Sequence, residues 1–260
     1  MKINDFYRDA AKISLNDSIA ALIPSLLIIV GNIAIFNKPE MMKLTIPFLL
    51  YSLFSFQIYL YRMKQSIQIS RNIEKNQSHE TISRSVFDAR QLLVLCQNSQ
   101  TPKLHLYFPD GMLAGTIKKQ HQKGLMKWRW PKIYRFYNNQ EETIGLFQLQ
   151  GSRIKVYGQN MNYLGSFSKN KFMKKRKGEL LDREHKLIGT VEGSSLFMDE
   201  QVLNEDHREV ARLRRGWMPL EWSPIFPDAN TPVLSIQEDL PESEKLLQLA
   251  FLIQEYFVER

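Results

Sequence analysis

The chain has 260 residues, one cysteine and a formal net charge of +8, and 43% of its residues are hydrophobic. This length suits one or two domains with a sizeable core, and the single cysteine, Cys96, excludes an internal disulfide framework and fits a reducing compartment. The basic excess lies in the middle of the chain, because residues 63–135 carry 13 basic and 4 acidic side chains, whereas residues 217–260 carry 2 basic and 8 acidic ones.

Two uncharged stretches, residues 19–36 and 44–61, lie near the N-terminus and are separated by seven residues. Each is long enough to cross the roughly 30 Å hydrocarbon layer of a bilayer as a helix. We therefore predict that residues 1–62 form an N-terminal segment and a transmembrane hairpin. The alternatives are a pair of buried helices in a soluble protein or, for the first stretch, a cleaved signal peptide. The second span and the lack of a clear small-residue cleavage site argue against the signal peptide.

The basic residues that flank the two stretches predict the orientation of the hairpin. They precede the first span, lie between the spans and follow the second span in three groups: Lys2, Arg8 and Lys12, then Lys38 and Lys43, then Arg62, Lys64, Arg71 and Lys75. The larger outer groups predict a multi-pass protein of the cell membrane with both termini in the cytoplasm.

The segments on either side of the hairpin are polar. Residues 3–13 have apolar side chains at helical spacing, which is typical of a short interfacial helix, with a frayed terminus as the alternative. Residues 63–86 are predicted to be a polar linker. Within it, Ile67, Ile69 and Ile73 allow the second helix to continue for a few turns before Asn76.

Beyond residue 87 the apolar and polar residues alternate with period two in short runs, which indicates half-buried strands. The runs 104–108, 133–136 and 153–157 are examples. A polar turn followed by an aliphatic residue, a glycine and a strand recurs at 110–117, 139–147, 160–167 and 182–191, with a degenerate copy at 204–213. Such turns favour β-hairpins. Some ten to twelve antiparallel strands with no helix among them predict a closed sheet, which leaves no exposed edges.

The last segment, residues 240–258, is apolar on nearly every side of a helix, so it must be buried. Its thirteen-residue apolar part, 246–258, reaches only roughly 20 Å at 1.5 Å per residue, which is too short to span a bilayer. Asp239, with Glu242 and Glu244 after it, is the predicted N-terminal cap. We therefore predict an α+β chain in which a membrane-anchored hairpin precedes a closed antiparallel β-barrel, residues 87–260, with this helix at the centre of the barrel.

Residues 87–260 resemble the Tubby C-terminal-like superfamily, which includes the LURP-one-related proteins and the phospholipid scramblases. The repeated turn and glycine units, the sequence Glu192-Gly-Ser-Ser-Leu-Phe and the ending from Asp239 to Phe251 carry the resemblance. It implies a barrel around a central hydrophobic helix. The two preceding spans are similar to a membrane-tethered bacterial variant of that fold. No ligand-binding residue of the superfamily matches by position.

The sequence contains no recognisable catalytic or metal-binding pattern. The five histidines have no HExxH spacing, the carboxylates in the turns lack the ligand spacing of a calcium loop, and neither a nucleophile elbow nor a phosphate-binding glycine loop occurs. Cys96, in an apolar run, is expected to be a buried inert thiol, and His105 to be an exposed strand residue. We therefore expect a protein that is not an enzyme and that has no cofactor and no metal.

Two basic segments that include aromatic or other apolar residues are the candidate binding site. The residues predicted to contact lipid are Lys118, Lys119, Lys123, Lys127, Trp128, Arg129 and Trp130 in the first segment, and Lys169, Lys171, Lys174, Lys175, Arg176 and Lys177 in the second. Basic side chains attract anionic lipid, and aromatic rings enter the interface beside them. The alternative is that these charges merely keep two loops solvated. A third basic set, Arg208, Arg212, Arg214 and Arg215, is partly neutralised by neighbouring carboxylates.

These features together predict a membrane-anchored cytoplasmic module that binds anionic phospholipid head groups or a membrane protein partner. A scramblase-like protein that moves lipid, or a scaffold or immunity-type component of the cell envelope, is the alternative. Nucleic acid is the less favoured partner for the basic segments, since the hairpin holds them near a bilayer.

Overall fold

The computed structural model describes residues 1–76, 84–97, 101–120, 131–170, 176–194 and 197–258, apart from the side chains of Phe36, Asn76, Asn170, Arg176 and Lys177. The chain forms two compact units. One is Lys2–Ser78, and the other is His79–Arg260 together with Met1.

The first unit is a hairpin of two long helices. Helix α1 (Ile3–Gly31) continues into a π-helical turn, the short helix α2 is Pro39–Met42, and helix α3 is Ile46–Asn76. Helix α1 is continuous from Ile3, so the N-terminal residues are neither a separate interfacial helix nor a frayed end. Helix α3 extends through residue 76, so the first part of the predicted linker is helical, as the isoleucine spacing allowed. Residues 77–83 lie outside the described part of the chain.

The two helices meet through small side chains. Every third or fourth residue on one face of α1 is small and buried: Ala11, Ser14, Ser18, Ala21 and Ser25. The hydroxyls of Ser18 and Ser52 lie 3.0 Å apart, and the Ser66 hydroxyl donates to the Asn4 carbonyl at 2.9 Å. Most large apolar side chains of residues 19–36 and 44–61 are exposed instead, including Leu27, Ile33 and Phe54, whereas Ile3, Ile69 and Ile73, outside these stretches, are buried. The segments Ile3–Ile35 and Pro39–Lys75 are long and apolar enough to cross a membrane by length and composition.

The second unit is a closed barrel of twelve antiparallel strands. Each strand pairs with the next along the chain, and the last pairs with the first. The strands are β1 (Gln91–Gln97), β2 (Lys103–Tyr107), β3 (Leu113–Lys119), β4 (Lys132–Asn138), β5 (Thr143–Gln150), β6 (Arg153–Gly158), β7 (Tyr163–Asn170), β8 (Arg176–Asp182), β9 (Leu187–Gly193), β10 (Asp199–Asn204), β11 (Glu209–Arg214) and β12 (Val233–Ile236). The predicted fold, two apolar helices before a closed barrel with a C-terminal helix, is confirmed.

Five connections at one end of the barrel are the same kind of turn. In each, the first residue accepts a hydrogen bond from the N–H of the fourth, and the fourth has a left-handed backbone: Gly111, Glu141, Met161, His185 and His207. The strand register shifts by one residue beside every one of these turns. This geometry is a type I turn followed by a β-bulge, and asparagine and aspartate side chains favour it by bonding to nearby backbone N–H groups. Asp182, for example, accepts from the N–H groups of Glu184 and Lys186, both at 2.8 Å.

The C-terminal helix lies inside the barrel. It consists of α4 (Glu242–Gln248), α5 (Ala250–Ile253) and a π-helical turn, Gln254–Val258, and residues 245–253 are all buried. It begins at Glu242 after Pro241 and has no side-chain cap, so the predicted cap at Asp239 is wrong. The recurring glycines let it approach the wall, because a β-carbon at Gly145 would meet Leu246, and one at Gly165 would meet the Leu181 carbonyl and Leu247.

The antiparallel order gives the barrel two different ends. We call the end with the five repeated turns the turn end, and the opposite end, where β1 joins β2 and β11 joins β12, the loop end. The chain leaves β12 at the turn end, so the helix enters there and runs toward the loop end. Its last turn reaches that end, since the Phe257 ring lies 4.8 Å from the Tyr134 ring at the start of β4.

Candidate functional site

The two ends of the barrel differ in charge. Among the two terminal residues of every strand, nine are basic and three acidic at the loop end, whereas none is basic and two are acidic at the turn end. The basic residues at the loop end are Lys103, Lys118, Lys119, Lys132, Arg153, Lys169, Arg176, Lys177 and Arg214. The strand order alone brings them together, because they come from seven different strands. A surface of this kind attracts an anionic partner.

Most of the predicted lipid-contacting residues lie outside the described part of the chain. These are Lys123, Lys127, Trp128, Arg129, Trp130, Lys171, Lys174 and Lys175. Arg176 and Lys177 begin β8, but their side chains are not described either. The strands that flank both segments, β3 with β4 and β7 with β8, end or begin at the loop end. The topology thus joins the two predicted segments to the same end of the barrel.

The three described members of the predicted set have different surroundings. Lys118 is directed away from the loop end, because its Nζ lies 5.0 Å from the centre of the Tyr137 ring and 3.6 Å from Oε1 of Glu141 in a turn-end connection. Lys119 is exposed at the end of β3. Lys169 lies on the inner face of β7 and lines a small cavity with Gln254 and Glu255 from the helix. Of the three, Lys119 is therefore free to meet a surface outside the barrel.

The loop end also exposes large apolar side chains that the sequence reasoning missed. Phe197, Trp217 and Leu220 are 76%, 67% and 87% exposed. The Arg215 N–H donates to the Met198 carbonyl at 3.0 Å, which ties the connection before β10 to the one after β11. The run Arg-Arg-Gly-Trp-Met-Pro-Leu at 214–220 was the available signal, because a basic pair followed by a tryptophan in a glycine and proline loop is typical of an interfacial segment.

Arg212, Arg214 and Arg215 lie near the loop end and differ in their partners. Carboxylates balance the charge of Arg212, whereas the charges of Arg214 and Arg215 are not balanced in this way by any described residue. Arg212 forms a bidentate pair with Asp199 at 2.8 and 2.9 Å and also contacts Glu209 at 3.1 Å. Its hydrogen bonds lower the pKa of Asp199, and Asp199 in turn raises the pKa of Arg212. Arg214 stacks on Trp217 instead, with 4.8 Å between the guanidinium carbon and the ring centre. Arg214 and Arg215 are thus the basic side chains nearest to the exposed tryptophan in sequence.

Two residues of the barrel wall differ from the sequence expectation. His105 is 3% exposed, so the prediction of an exposed strand residue is wrong. Its ring nitrogens lie 3.1 Å from the Thr116 hydroxyl and 3.3 Å from Gln97 Oε1. Burial, with the nearby charges of Lys103 and Lys118, lowers the pKa of His105 to about 4, so its ring is neutral at pH 7. Cys96 is half-buried and packs against the core.

Comparison with known proteins adds a likeness in shape. No family model matches the chain, and no curated protein matches it significantly. An X-ray structure of a protein from Arabidopsis thaliana matches over 64% of this chain and 89% of that chain, with 13% sequence identity and a TM-score of 0.43. A likeness of this size concerns the fold alone and gives no information on a binding site.

Proposed function

We propose that the chain is a membrane-anchored, non-enzymatic module whose barrel binds anionic phospholipid head groups through its loop end. The observation that carries this proposal is the loop end itself, which combines basic strand-terminal residues, among them exposed Lys119, Lys132 and Arg153, with exposed Phe197, Trp217 and Leu220. Near an anionic leaflet each Lys or Arg contributes about 1 kcal/mol, and aromatic side chains enter the interface beside them. Among the two terminal residues of each strand, none is basic at the turn end.

The side chains of the hairpin support a membrane anchor. A soluble helical hairpin buries its large apolar residues between its helices. Here small residues such as Ser18 and Ser52 occupy the contact, and the large residues cover the outside. This arrangement is typical of membrane helices, which approach each other through small residues and expose large ones to lipid. The covalent attachment keeps the barrel at a high effective concentration over the bilayer.

The orientation follows from the flanking basic residues. Three precede helix α1 or lie in its first half, four lie in the second half of α3, and Lys38 and Lys43 lie between the two helices. Both termini, and with them the barrel, are thus expected in the cytoplasm, where anionic lipid is enriched. Replacing Lys38 by cysteine in a Cys96→Ser background tests this orientation. A membrane-impermeant maleimide should label the cysteine in intact cells, whereas Ser85→Cys should require permeabilised cells. The opposite labelling pattern would refute the orientation.

Quenching of Trp217 by lipid tests the lipid-binding surface in the full chain. Replacement of Trp128, Trp130 and Trp222 by phenylalanine leaves Trp217 as the single tryptophan. The chain is placed in nanodiscs that contain a spin-labelled quencher lipid, with phosphatidylcholine alone or with phosphatidylserine added. Phosphatidylserine should increase the quenching of Trp217, and high salt should reverse the increase, because salt screens exposed charges.

Charge reversal of Arg214 and Arg215 to glutamate should lower the ratio of docked to undocked barrel by at least about 30-fold, since the loss of two contacts of about 1 kcal/mol each gives that factor and the two added repulsions increase it. The matched control reverses Arg183 and Arg208, which are exposed at the turn end, and should leave the quenching unchanged. Equal quenching with and without phosphatidylserine, or equal effects of the two reversals, would remove the loop end from the proposal.

A further inference from the structure

The turn end contains a cavity that the lipid-binding surface does not use. Its volume is about 290 Å³, and it lies between strands β8 to β11 and the start of the central helix. About half of its wall is apolar, and this part is formed mainly by Leu180, Ile188, Val202, Val210 and Leu240. At about 30 Å³ for each water molecule, this space holds roughly ten waters, which is the lower end of the range for small-molecule sites.

A buried acceptor lies on the inner side of this cavity. Gln248, the last residue of α4, lines the cavity and is 7% exposed. Its Oε1 is buried and accepts no hydrogen bond within the part of the chain that the structure describes. Leaving such an acceptor without a donor is destabilising, so an orphaned acceptor in a native fold requires an explanation. A ligand within the cavity that donates a hydrogen bond to Oε1 of Gln248 would explain it.

The rim of the cavity is negatively charged. It carries Glu205 and Asp206 from the turn between β10 and β11, and Glu244 from the helix. Of the nearby cations, Lys186 pairs with Glu205 at 3.1 Å, and Lys245 donates to the carbonyls of Phe87 at 2.7 Å and Glu238 at 2.8 Å. Arg183 and Arg208 are exposed in the adjacent turns. Asp206 and Glu244 have no ion pair with any described residue, so two carboxylates at the entrance are available to a cationic ligand.

The rim and the acceptor are one helical turn apart. Glu244 and Gln248 are four residues apart on the same face of the helix, about 6 Å along its axis, and the helix enters from the turn end. Gln248 is therefore deeper in the barrel than Glu244. A ligand that reaches both needs a positive charge at one end, a hydrogen-bond donor at the other, and an apolar stem of about four or five carbons between them.

We propose that this cavity binds a small aliphatic amine that carries a second donor group, of the amino alcohol type. The ammonium lies at the rim among Glu205, Asp206 and Glu244, the stem contacts the apolar wall, and the hydroxyl donates to Oε1 of Gln248. The proposal goes beyond lipid binding and does not depend on it, because the cavity and the lipid-binding surface lie at opposite ends of the barrel.

Three probes separate the contributions of the two ends of the ligand. The full chain in phosphatidylcholine nanodiscs is titrated with 5-amino-1-pentanol, pentylamine and 1-pentanol, followed by saturation-transfer NMR, with empty nanodiscs as the background. 5-Amino-1-pentanol should bind saturably. Pentylamine, which lacks the hydroxyl, and 1-pentanol, which lacks the charge, should each bind about tenfold more weakly, since each loses a hydrogen bond or an ionic contact of roughly 1–2 kcal/mol.

Two substitutions assign the binding to this cavity. Glu244→Gln should weaken the binding of 5-amino-1-pentanol about tenfold, whereas Glu242→Gln, on the same helical turn but outside the lining, should not change it. Gln248→Met should abolish the preference for 5-amino-1-pentanol over pentylamine. It should leave the thermal midpoint equal or higher, because it removes an acceptor without a donor. Arg214→Glu with Arg215→Glu should leave amine binding unchanged, which separates this site from the lipid-binding surface.

Several results would overturn the proposal. They are the absence of saturable binding of 5-amino-1-pentanol to the unmodified chain, equal affinities for the three probes, equal effects of Glu242→Gln and Glu244→Gln, and a preference for 5-amino-1-pentanol that persists in Gln248→Met.

Discussion

The two ends of the barrel are built by different rules. At the turn end five short connections share one backbone geometry, with a left-handed residue in the fourth position of each. At the loop end the connections differ in length, from the two residues between β5 and β6 to the eighteen between β11 and β12. Short turns determine local register, whereas long connections are free to carry binding groups. This difference fits a division of roles, with the turn end shaping the barrel and the loop end meeting a partner.

The central helix is shared by both ends, so a charge placed on it is expected to have the largest effect. Leu252→Asp puts a carboxylate at a fully buried position. The cost should be several kcal/mol, comparable to the stability of a whole domain, because nothing apolar can solvate the charge. Circular dichroism and the yield of folded chain would measure it. Val258→Asp, at the exposed end of the same helix, is the control and should fold. A folded Leu252→Asp barrel would contradict the central position of the helix.

The stability of the barrel should depend on pH through His105, which lies in the barrel wall between the two ends. The pKa of its folded state, about 4, lies below the unfolded value of about 6.5, so the unfolded chain binds the proton more tightly. The free energy of unfolding is therefore highest above pH 6.5 and decreases as the pH falls toward 4. The decrease is about 3 kcal/mol, at about 1.4 kcal/mol for each unit of difference between the two pKa values. Denaturant unfolding between pH 4 and 7 should show this slope, and His105→Gln should remove it. His207→Gln, in an exposed turn, should retain it.

A matched pair of glycines compares close packing near the turn end with an open hairpin at the loop end. Both Gly165 and Gly151 have positive φ, but a β-carbon at Gly165 would meet the Leu181 carbonyl and Leu247, whereas one at Gly151 would meet nothing within 4 Å. Gly165→Ala should therefore cost about 3 kcal/mol, from overpacking and backbone strain, and Gly151→Ala about 1 kcal/mol from strain alone. Urea midpoints measure both. Equal losses would show that the central helix does not depend on the glycine at 165.

The smallest expected effects come from two turns within the turn end. Gly111 and His207 occupy equivalent left-handed positions. Gly111→Ala should destabilise the barrel by about 1 kcal/mol. His207→Gly should stabilise it by about 0.5 kcal/mol, because relief of the left-handed strain exceeds the added entropy of the unfolded chain. Thermal midpoints should thus shift in opposite directions. Shifts of the same sign would mean that the two turns are not equivalent.

The predictions made from sequence were most accurate where structure is local. The polar residues before each recurring glycine predicted the five turns, because asparagine and aspartate bond to the backbone within four residues. The apolar run at 246–258 predicted a buried helix because its apolar residues lie on nearly every side of a helix, which is also a local property of the sequence. Of the two errors, one had a local cause and the other a distant one. The predicted cap at Asp239 was wrong because the chain enters the helix through Pro241, and His105 is buried although its neighbours in sequence suggested exposure.

The candidate sites were predictable only in part. Basic clusters could be read from the sequence, but Lys118 is directed toward Glu141 and Lys169 faces the interior of the barrel, because a side chain on a strand takes the face that the register assigns to it. Neither Trp217 nor Gln248 was predicted from the sequence to be a site residue. Their proposed roles also depend on residues that are far away in the chain, such as Phe197 at the loop end and the strands β8 to β11 around the cavity.

By itself, the sequence determined which elements form, since hydrophobic period, turn residues and the length of apolar runs act over a few residues. The tertiary structure alone decided how those elements combine into surfaces. Closure of the antiparallel sheet places the starts and ends of alternate strands at the same end of the barrel, which gathers basic residues from seven strands at the loop end. It also encloses Gln248 in an acid-rimmed cavity at the turn end. Both outcomes depend on pairing across the whole barrel, which no local pattern contains.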